Sequence, residues 1–161
     1  MHQRTLYSRM IVALLALLGL LDAAYLTLNR YQDKLSLVCP VGGGCETVQS
    51  SAWSTLPPGN GIPVAVLGLF GYGALLTLAL AGLHRERIGR LPLDTALLVV
   101  AGGGVLFSIY LTAVQLFAIH ALCFWCVVSA LLELGIFAAA ATDWIARRPR
   151  RRLESAPPRR V

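Results

Sequence analysis

The sequence predicts an all-α fold, a polytopic four-transmembrane-helix bundle with an outer loop covering its site, and three observations predict it. Of its 161 residues 57% are hydrophobic and only 14% charged, and the mean hydropathy is +0.67. One small domain cannot bury that much apolar surface in a single core, so lipid must solvate part of it. Four apolar stretches, residues 10–29, 62–83, 95–117 and 123–145, each come close to the ~20 residues an α-helix needs to cross a bilayer core. The positive charges, finally, lie between those stretches and not within them.

The elements follow in order. Residues 1–9 are a basic head with Arg4 and Arg9. The first stretch shares features with a signal peptide, because Ala23 and Ala24 follow the apolar run. Apolar residues resume at Tyr25, Leu26 and Leu28, however, and complete a spanning length. Residues 30–61 form a long loop holding only Arg30 and Lys34 as basic residues. The second stretch contains Gly68, Gly71 and Gly73, small residues suited to close helix packing. A short connection with Arg85, Arg87 and Arg90 leads to the third, and residues 118–122, without Lys or Arg, lead to the fourth. The tail, 146–161, is arginine-rich, carries prolines and is expected to be disordered.

Twelve of the fourteen basic residues thus fall in the head, the second connection and the tail. The positive-inside rule then puts both termini in the cytoplasm and the 30–61 loop outside the inner (cytoplasmic) membrane. The net charge of +6 is accounted for as a topology signal, so no nucleic-acid partner is expected, and membrane lipid is the surrounding partner. No internal repeat is visible, and Gly42-Gly43-Gly44 and Gly102-Gly103-Gly104 lack the lysine or strand context of nucleotide-binding motifs.

All four cysteines map to the outer side. Cys39 and Cys45 occur as C-P-V-G-G-G-C, a flexible loop able to bring two sulfurs together, and a disulfide is the expected state outside the cytoplasm. Cys123-Phe124-Trp125-Cys126 is a C-x-x-C at the outer start of the fourth span, with both sulfurs on one helical face. The helix N-terminus favours a thiolate there, as disulfide exchange requires. Taken singly, each pair also fits a structural staple or inert packing, and four cysteines could hold zinc. The five-residue spacing of the first pair and the oxidising compartment argue against the metal, so no metal site is expected. Together, one flexible loop pair and one membrane-boundary pair suit a two-stage electron relay.

Polar residues within the spans form stripes: Cys123, Cys126, Ser129 and Glu133 on the fourth, Asp22 with Tyr25 on the first, and Ser108, Thr112 and Gln115 on the third. Glu133, ten residues in, lies roughly 15 Å deep and should face the bundle interior. For Asp22 and Glu133 a proton role and a satisfied structural carboxyl both stay open. Trp53, Trp125, Tyr25 and Phe117 lie near the outer boundary, where aromatics are common.

These residues resemble the vitamin K epoxide reductase family in its bacterial, disulfide-forming branch. The likeness runs over most of residues 10–140: the first helix, the loop with its cysteine pair, C-x5-S-x-W from Cys45 through Ser51 to Trp53, G-I-P at Gly61 to Pro63, and C-F-W-C opening the fourth helix. The resemblance implies that Cys39 and Cys45 are a loop shuttle pair and Cys123 and Cys126 a quinone-proximal pair. It further implies a quinone, ubiquinone or menaquinone, near Ser51, Trp53, Val64, Leu122 and Cys126. Vertebrate relatives that reduce the epoxide carry a tyrosine where this chain has Ala130, and an asparagine whose nearest counterpart by position is Val64, so vitamin K epoxide or quinone reduction of that kind stays as the alternative, ranked behind disulfide formation. Many bacterial relatives carry a fused thioredoxin-like domain; the 16 residues after Ile145 are too few for one, so the expected partner is a separate thioredoxin-fold thiol oxidase in the periplasm or outside the cytoplasmic membrane. The other bacterial quinone-linked disulfide enzyme family places its C-x-x-C in the first outer loop, the reverse of the order here. A non-catalytic scaffold with two structural disulfides is the reading from a different class. The implied activity is a membrane thiol:quinone oxidoreductase supporting extracytoplasmic disulfide formation.

Overall fold

The computed structural model describes residues 2–32, 38–40, 42, 44–84, 87–88 and 91–154. Lys34, Arg85, Arg90, Arg159 and Arg160, which entered the charge count above, lie outside the described residues. Four long helices carry the chain: α1 (His2–Tyr31), α3 (Val64–His84), α4 (Leu93–Val114) and α5 (Phe124–Glu154). A short helix α2 (Gly44–Ser50) and a 3₁₀ turn (Ala52–Ser54) occupy the first loop. Two minimal hairpins, β1 (Thr55–Leu56) with β2 (Ile62–Pro63) and β3 (Arg87–Ile88) with β4 (Leu91–Pro92), close the connections before α3 and α4.

The stretches long and apolar enough to span a membrane are Leu6–Tyr31, Val64–Leu83, Leu93–Ile119 and Phe124–Arg147, so the chain is an all-α, multi-pass membrane protein. Each matches its expected stretch to within a few residues. The third runs two residues past the expected end because α4 continues through one π-helical turn, Gln115–Ile119. Helix α5 continues to Glu154, so residues 146–154 are helical where disorder was expected. Arginine is a good helix former, and a helix already nucleated in the span propagates at little cost, Pro149 notwithstanding. The remainder of the tail, 155–161, lies outside the described residues.

Helix α1 packs on α3 and α5, and α4 packs on the same two, which closes a four-helix ring. Its centre is built from small and medium residues, Val12 and Ala16 of α1, Leu75 and Ala79 of α3, Ala101 of α4 and Ile136 and Ala140 of α5. Alanines at the contacts let the backbones approach, which is what drives helix association where lipid is as apolar as leucine. Large side chains such as Phe70, Leu106 and Leu131 point outward instead, as a lipid-facing surface requires.

One end of the bundle is held by charge. Arg9 of α1 and Asp143 of α5 are both buried and pair at 3.9 Å, and Arg147 donates to Asp143 at 3.1 Å. Beside them the Ser8 hydroxyl donates to the Ala139 carbonyl at 3.0 Å. Removing one partner of a buried pair strands the other, at a cost of about 3–5 kcal/mol. Asp143→Ala is therefore expected to lower the thermal unfolding midpoint of the detergent-solubilised protein by several degrees, and Ser8→Ala to lower it much less; equal shifts would deny the pair its role.

Candidate active site

All four cysteines gather at the opposite end of the bundle, where the first loop folds onto the start of α5. Cys39 and Cys45 are joined in a disulfide, while Cys123 and Cys126 are free thiols. Cys45 and Cys123 are both fully buried and belong to one apolar cluster with Val48, against which Cys39, Cys126, Phe124 and Trp125 pack. The loop pair and the C-x-x-C are thus neighbours, 78 residues apart in sequence at their nearest members, Cys45 and Cys123.

Several local features bring them together. Gly44 opens α2 directly against the backbone carbonyl of Leu122, an approach that any Cβ would block. On the other side of that contact the turn into α5 is closed by His120 in the left-handed conformation, φ 55°. The amides of His120 and Ala121 both donate to the Gln115 carbonyl. The Gln115 side-chain oxygen then accepts the Cys123 amide at 2.9 Å, fixing the backbone of the first thiol. The loop is clamped from above. Trp125 Nε1 donates to the Val38 carbonyl at 2.8 Å, the Val38 amide donates to the Tyr25 hydroxyl at 3.1 Å, and the Tyr25 and Trp125 rings lie 5.1 Å apart. Thr55, buried, ties the return of the loop by donating to the Ala52 and Pro57 carbonyls and accepting the Gly59 amide.

Cys123 precedes the first helical residue of α5 and so stands at its N-cap. Its Sγ accepts the Cys126 amide at 3.4 Å, the position a capping side chain normally fills. The helix-end amide expected to favour a thiolate in the C-x-x-C is therefore directed at Cys123, because an N-cap side chain folds back on the third helical N–H whereas Cys126 itself projects into the bundle. The hydrogen bond from the Cys126 thiol, aided by the Cys126 and Trp125 amides, pulls the Cys123 thiol below its ordinary pKa against the opposing effect of burial. The sign for stability follows. An acid whose folded pKa is depressed stabilises the reduced fold above its unfolded value, and that stabilisation is lost as pH falls through the folded value. In the reduced protein, ultraviolet thiolate absorbance should titrate with a midpoint below the ~8.5 of a free cysteine and vanish in Cys123→Ser, whereas a midpoint at or above that value would contradict the capping geometry.

Below the C-x-x-C lies a cavity of about 430 Å³ between all four long helices, its upper wall supplied by the loop. Cys126, Trp53 and Val64 line it, together with Phe107, Ala130 and Gly68 and a polar minority that includes Asp22, Ser129 and Glu133. Of the sequence-expected quinone contacts, Ser51 and Leu122 are not among the lining residues. The Ser51 hydroxyl donates to the Val48 carbonyl at 2.7 Å and so belongs to the end of α2. Leu122 is half exposed, with its backbone against Gly44. Trp53, by contrast, reaches the cavity from the 3₁₀ turn.

Two contributors were not singled out for this role in the sequence. Gln115 was visible as part of a polar stripe, but its partner, the Cys123 amide, is made by the tertiary turn. Tyr72, a lone tyrosine among the glycines of α3, donates to the Ser129 carbonyl at 2.7 Å and lies 2.9 Å from the Ser129 hydroxyl. A phenol in mid-span needs such a partner, and that was the available signal. An apolar cavity of this size with a few convergent polar groups and one thiol on its wall fits the planar ring of a quinone.

The family model of the vitamin K epoxide reductase family matches residues 10–141 of the chain, from α1 through the loop, both cysteine pairs and most of α5. A match of that extent over a four-span bundle with these two cysteine pairs leads to one conclusion: the chain belongs to the vitamin K epoxide reductase family, and is a membrane thiol–quinone oxidoreductase of that general kind.

Proposed function

We propose that the chain reoxidises a thioredoxin-fold thiol oxidase and passes its electrons through Cys39/Cys45 and Cys123/Cys126 to a membrane quinone, ubiquinone or menaquinone. The observation that carries this reading is the contact of an oxidised loop pair with a reduced C-x-x-C whose inner member faces an apolar cavity.

The partner's thiolate attacks Cys39, the half-buried member of the loop disulfide, and fully buried Cys45 leaves as a thiolate. Cys45 next attacks Cys123 of an oxidised C-x-x-C, and Cys126 is released. The partner's second thiol frees Cys39, which then displaces Cys123 from Cys45. The loop disulfide is restored, and two electrons now rest on Cys123 and Cys126. That distribution, a Cys39–Cys45 disulfide beside two free thiols, is the one the structure holds.

A bound quinone supplies the sink for two electrons and two protons. Trp53, Val64, Phe107 and Ala130 would hold it, and Cys126 would face it. Val64 and Ala130, both apolar and both on the cavity wall, support quinone over epoxide as the acceptor, because neither offers a hydrogen bond to an epoxide oxygen. The concentration of arginines at the end of the bundle remote from the cysteines supports an orientation with both termini cytoplasmic and the loop outside the inner membrane.

The test uses the purified full chain in lipid with a reduced thioredoxin-fold protein and a short-chain benzoquinone or naphthoquinone. Dithiol oxidation that requires quinone, one disulfide per quinone consumed, is the expected result. Oxidation indifferent to quinone would reject the reading.

A further inference from the structure

Four helices point a polar cluster into the floor of the cavity that an electron path alone does not need. Asp22 of α1 and Glu133 of α5 are each more than nine-tenths buried. Oε1 of Glu133 has no hydrogen-bond partner, and the polar group that acts on the Asp22 carboxyl is the Ser129 side chain. Both residues line the cavity, as do Cys126, Ser129 and Tyr72. Space is kept for one of them: the Glu133 carboxyl lies on Gly104 of α4, so closely that any Cβ there would overlap it. On the same wall stand the hydroxyls of Tyr72 and Ser129, 2.9 Å apart, either of which can donate. The titratable groups on the cavity wall are Asp22 from α1, Tyr72 from α3, and Cys126 and Glu133 from α5. From α4 come only neutral polar groups, Ser108 and Thr112, with Gln115 from its π turn, and among the described residues no Lys, Arg or His lines the wall. A carboxylate there has no cation to compensate it, so the neutral acid is the form the site accommodates.

We propose that Asp22 and Glu133 together form a proton store for the Cys123/Cys126 pair, both carboxyls being protonated while the pair is reduced and one of the two protons being released when the pair is oxidised. The proposal rests on the thiol:quinone reading and supplies its proton balance. At pH values above the Cys123 titration, where Cys123 is a thiolate, the reduced pair carries two electrons but a single proton, on Cys126. Forming a quinol takes two electrons and two protons. Oxidation therefore joins the two sulfurs and sends the Cys126 proton and one carboxyl proton to the acceptor, leaving one carboxylate. When the partner's dithiol next reduces the pair, two protons arrive, one for Cys126 and one that the new Cys123 thiolate does not keep. Like charges repel across an apolar site, so a thiolate at Cys123 and a carboxylate at Asp22 disfavour one another, and that proton returns to the store. Over one cycle no outside proton is consumed.

The experiment needs no quinone. In the full chain with Cys39→Ala and Cys45→Ala, the Cys123/Cys126 couple is titrated against a reference electrode at pH values above the Cys123 thiolate titration. With the store intact, reduction takes up two protons, and its equilibrium constant should fall a hundredfold per pH unit, ~59 mV for two electrons. With both Asp22→Asn and Glu133→Gln added, only the Cys126 proton is left and the dependence should drop to tenfold, ~30 mV. An unchanged hundredfold dependence would overturn the proposal. A second measurement avoids carboxyl substitutions altogether: in the wild-type chain, dicyclohexylcarbodiimide, which attacks protonated carboxyls in apolar surroundings, should label Asp22 or Glu133 more when the C-x-x-C is reduced than when it is oxidised. Equal labelling in the two states, or none at either residue, would overturn it as well. If both measurements succeed while the wild-type chain fails to reduce quinone, the store stands and the identity of the acceptor falls.

Discussion

Cys126→Ala should lower quinone-linked turnover by roughly a thousandfold or more, the scale expected for loss of a covalent nucleophile. Among the described residues Cys126 is the single cysteine on the cavity wall, and so the one placed to pass electrons into that space. The same change should leave a trace on the protein. Cys123, without a thiol to bridge to, attacks Cys45, its neighbour in the buried cluster, so that the bond to Cys123 forms as the loop disulfide breaks and Cys39 leaves as a thiolate. A Cys45–Cys123 disulfide should therefore accumulate and appear in nonreducing peptide maps. The mirror change, Cys123→Ala, should also abolish turnover but leave Cys126 as a free thiol. Normal quinone reduction by Cys126→Ala would remove it from the electron path. Loss of turnover without the trapped disulfide would instead break the link between the two pairs.

The bundle was legible in the sequence because a span is a local property: twenty apolar residues announce themselves whatever surrounds them, and all four stretches lie in helices whose membrane-spanning parts end within a few residues of the expected bounds. The cysteine pairs were legible by spacing and by resemblance. What the sequence did not carry is where each side chain points once the loop is folded down. Ser51 follows the loop cysteine at a spacing that suggests the site, yet its hydroxyl finds the Val48 carbonyl three residues back, a local bond that completes α2 before any cavity exists. The helix-end effect at the C-x-x-C was legible as physics, but which of the two thiols receives it depends on whether Cys123 is the first helical residue or the cap. A difference of one residue in a helix boundary is below what hydropathy resolves. The Trp125–Val38 bond and the Gln115 contact with the Cys123 amide join residues brought together only by the turn and the loop, so each could be read as a boundary aromatic or a polar stripe and no further.

The partner's route into the relay leads to the second large effect. A folded protein cannot reach Cys45 or Cys123, which are fully buried, whereas Cys39 is half-buried beside exposed Val38 and Pro40. The clamp from Trp125 and Tyr25 holds this segment by the Val38 backbone and so presents the cysteine that follows it. In Cys45→Ala, Cys39 has no bridging thiol. Its thiolate attacks the disulfide of an oxidised partner, and no sulfur of this chain can displace the partner afterwards. Cells expressing Cys45→Ala should accumulate a covalent complex, dissolved by dithiothreitol, that the wild-type chain shows at no more than a tenth of that level. Mass spectrometry of the complex should find a thioredoxin-fold protein linked through Cys39, and Cys39→Ala, Cys45→Ala should form none. The loop cysteine reached first decides the outcome: were Cys45 the point of attack, the adduct would build up in Cys39→Ala instead, and the order of thiol exchange would have to be reversed.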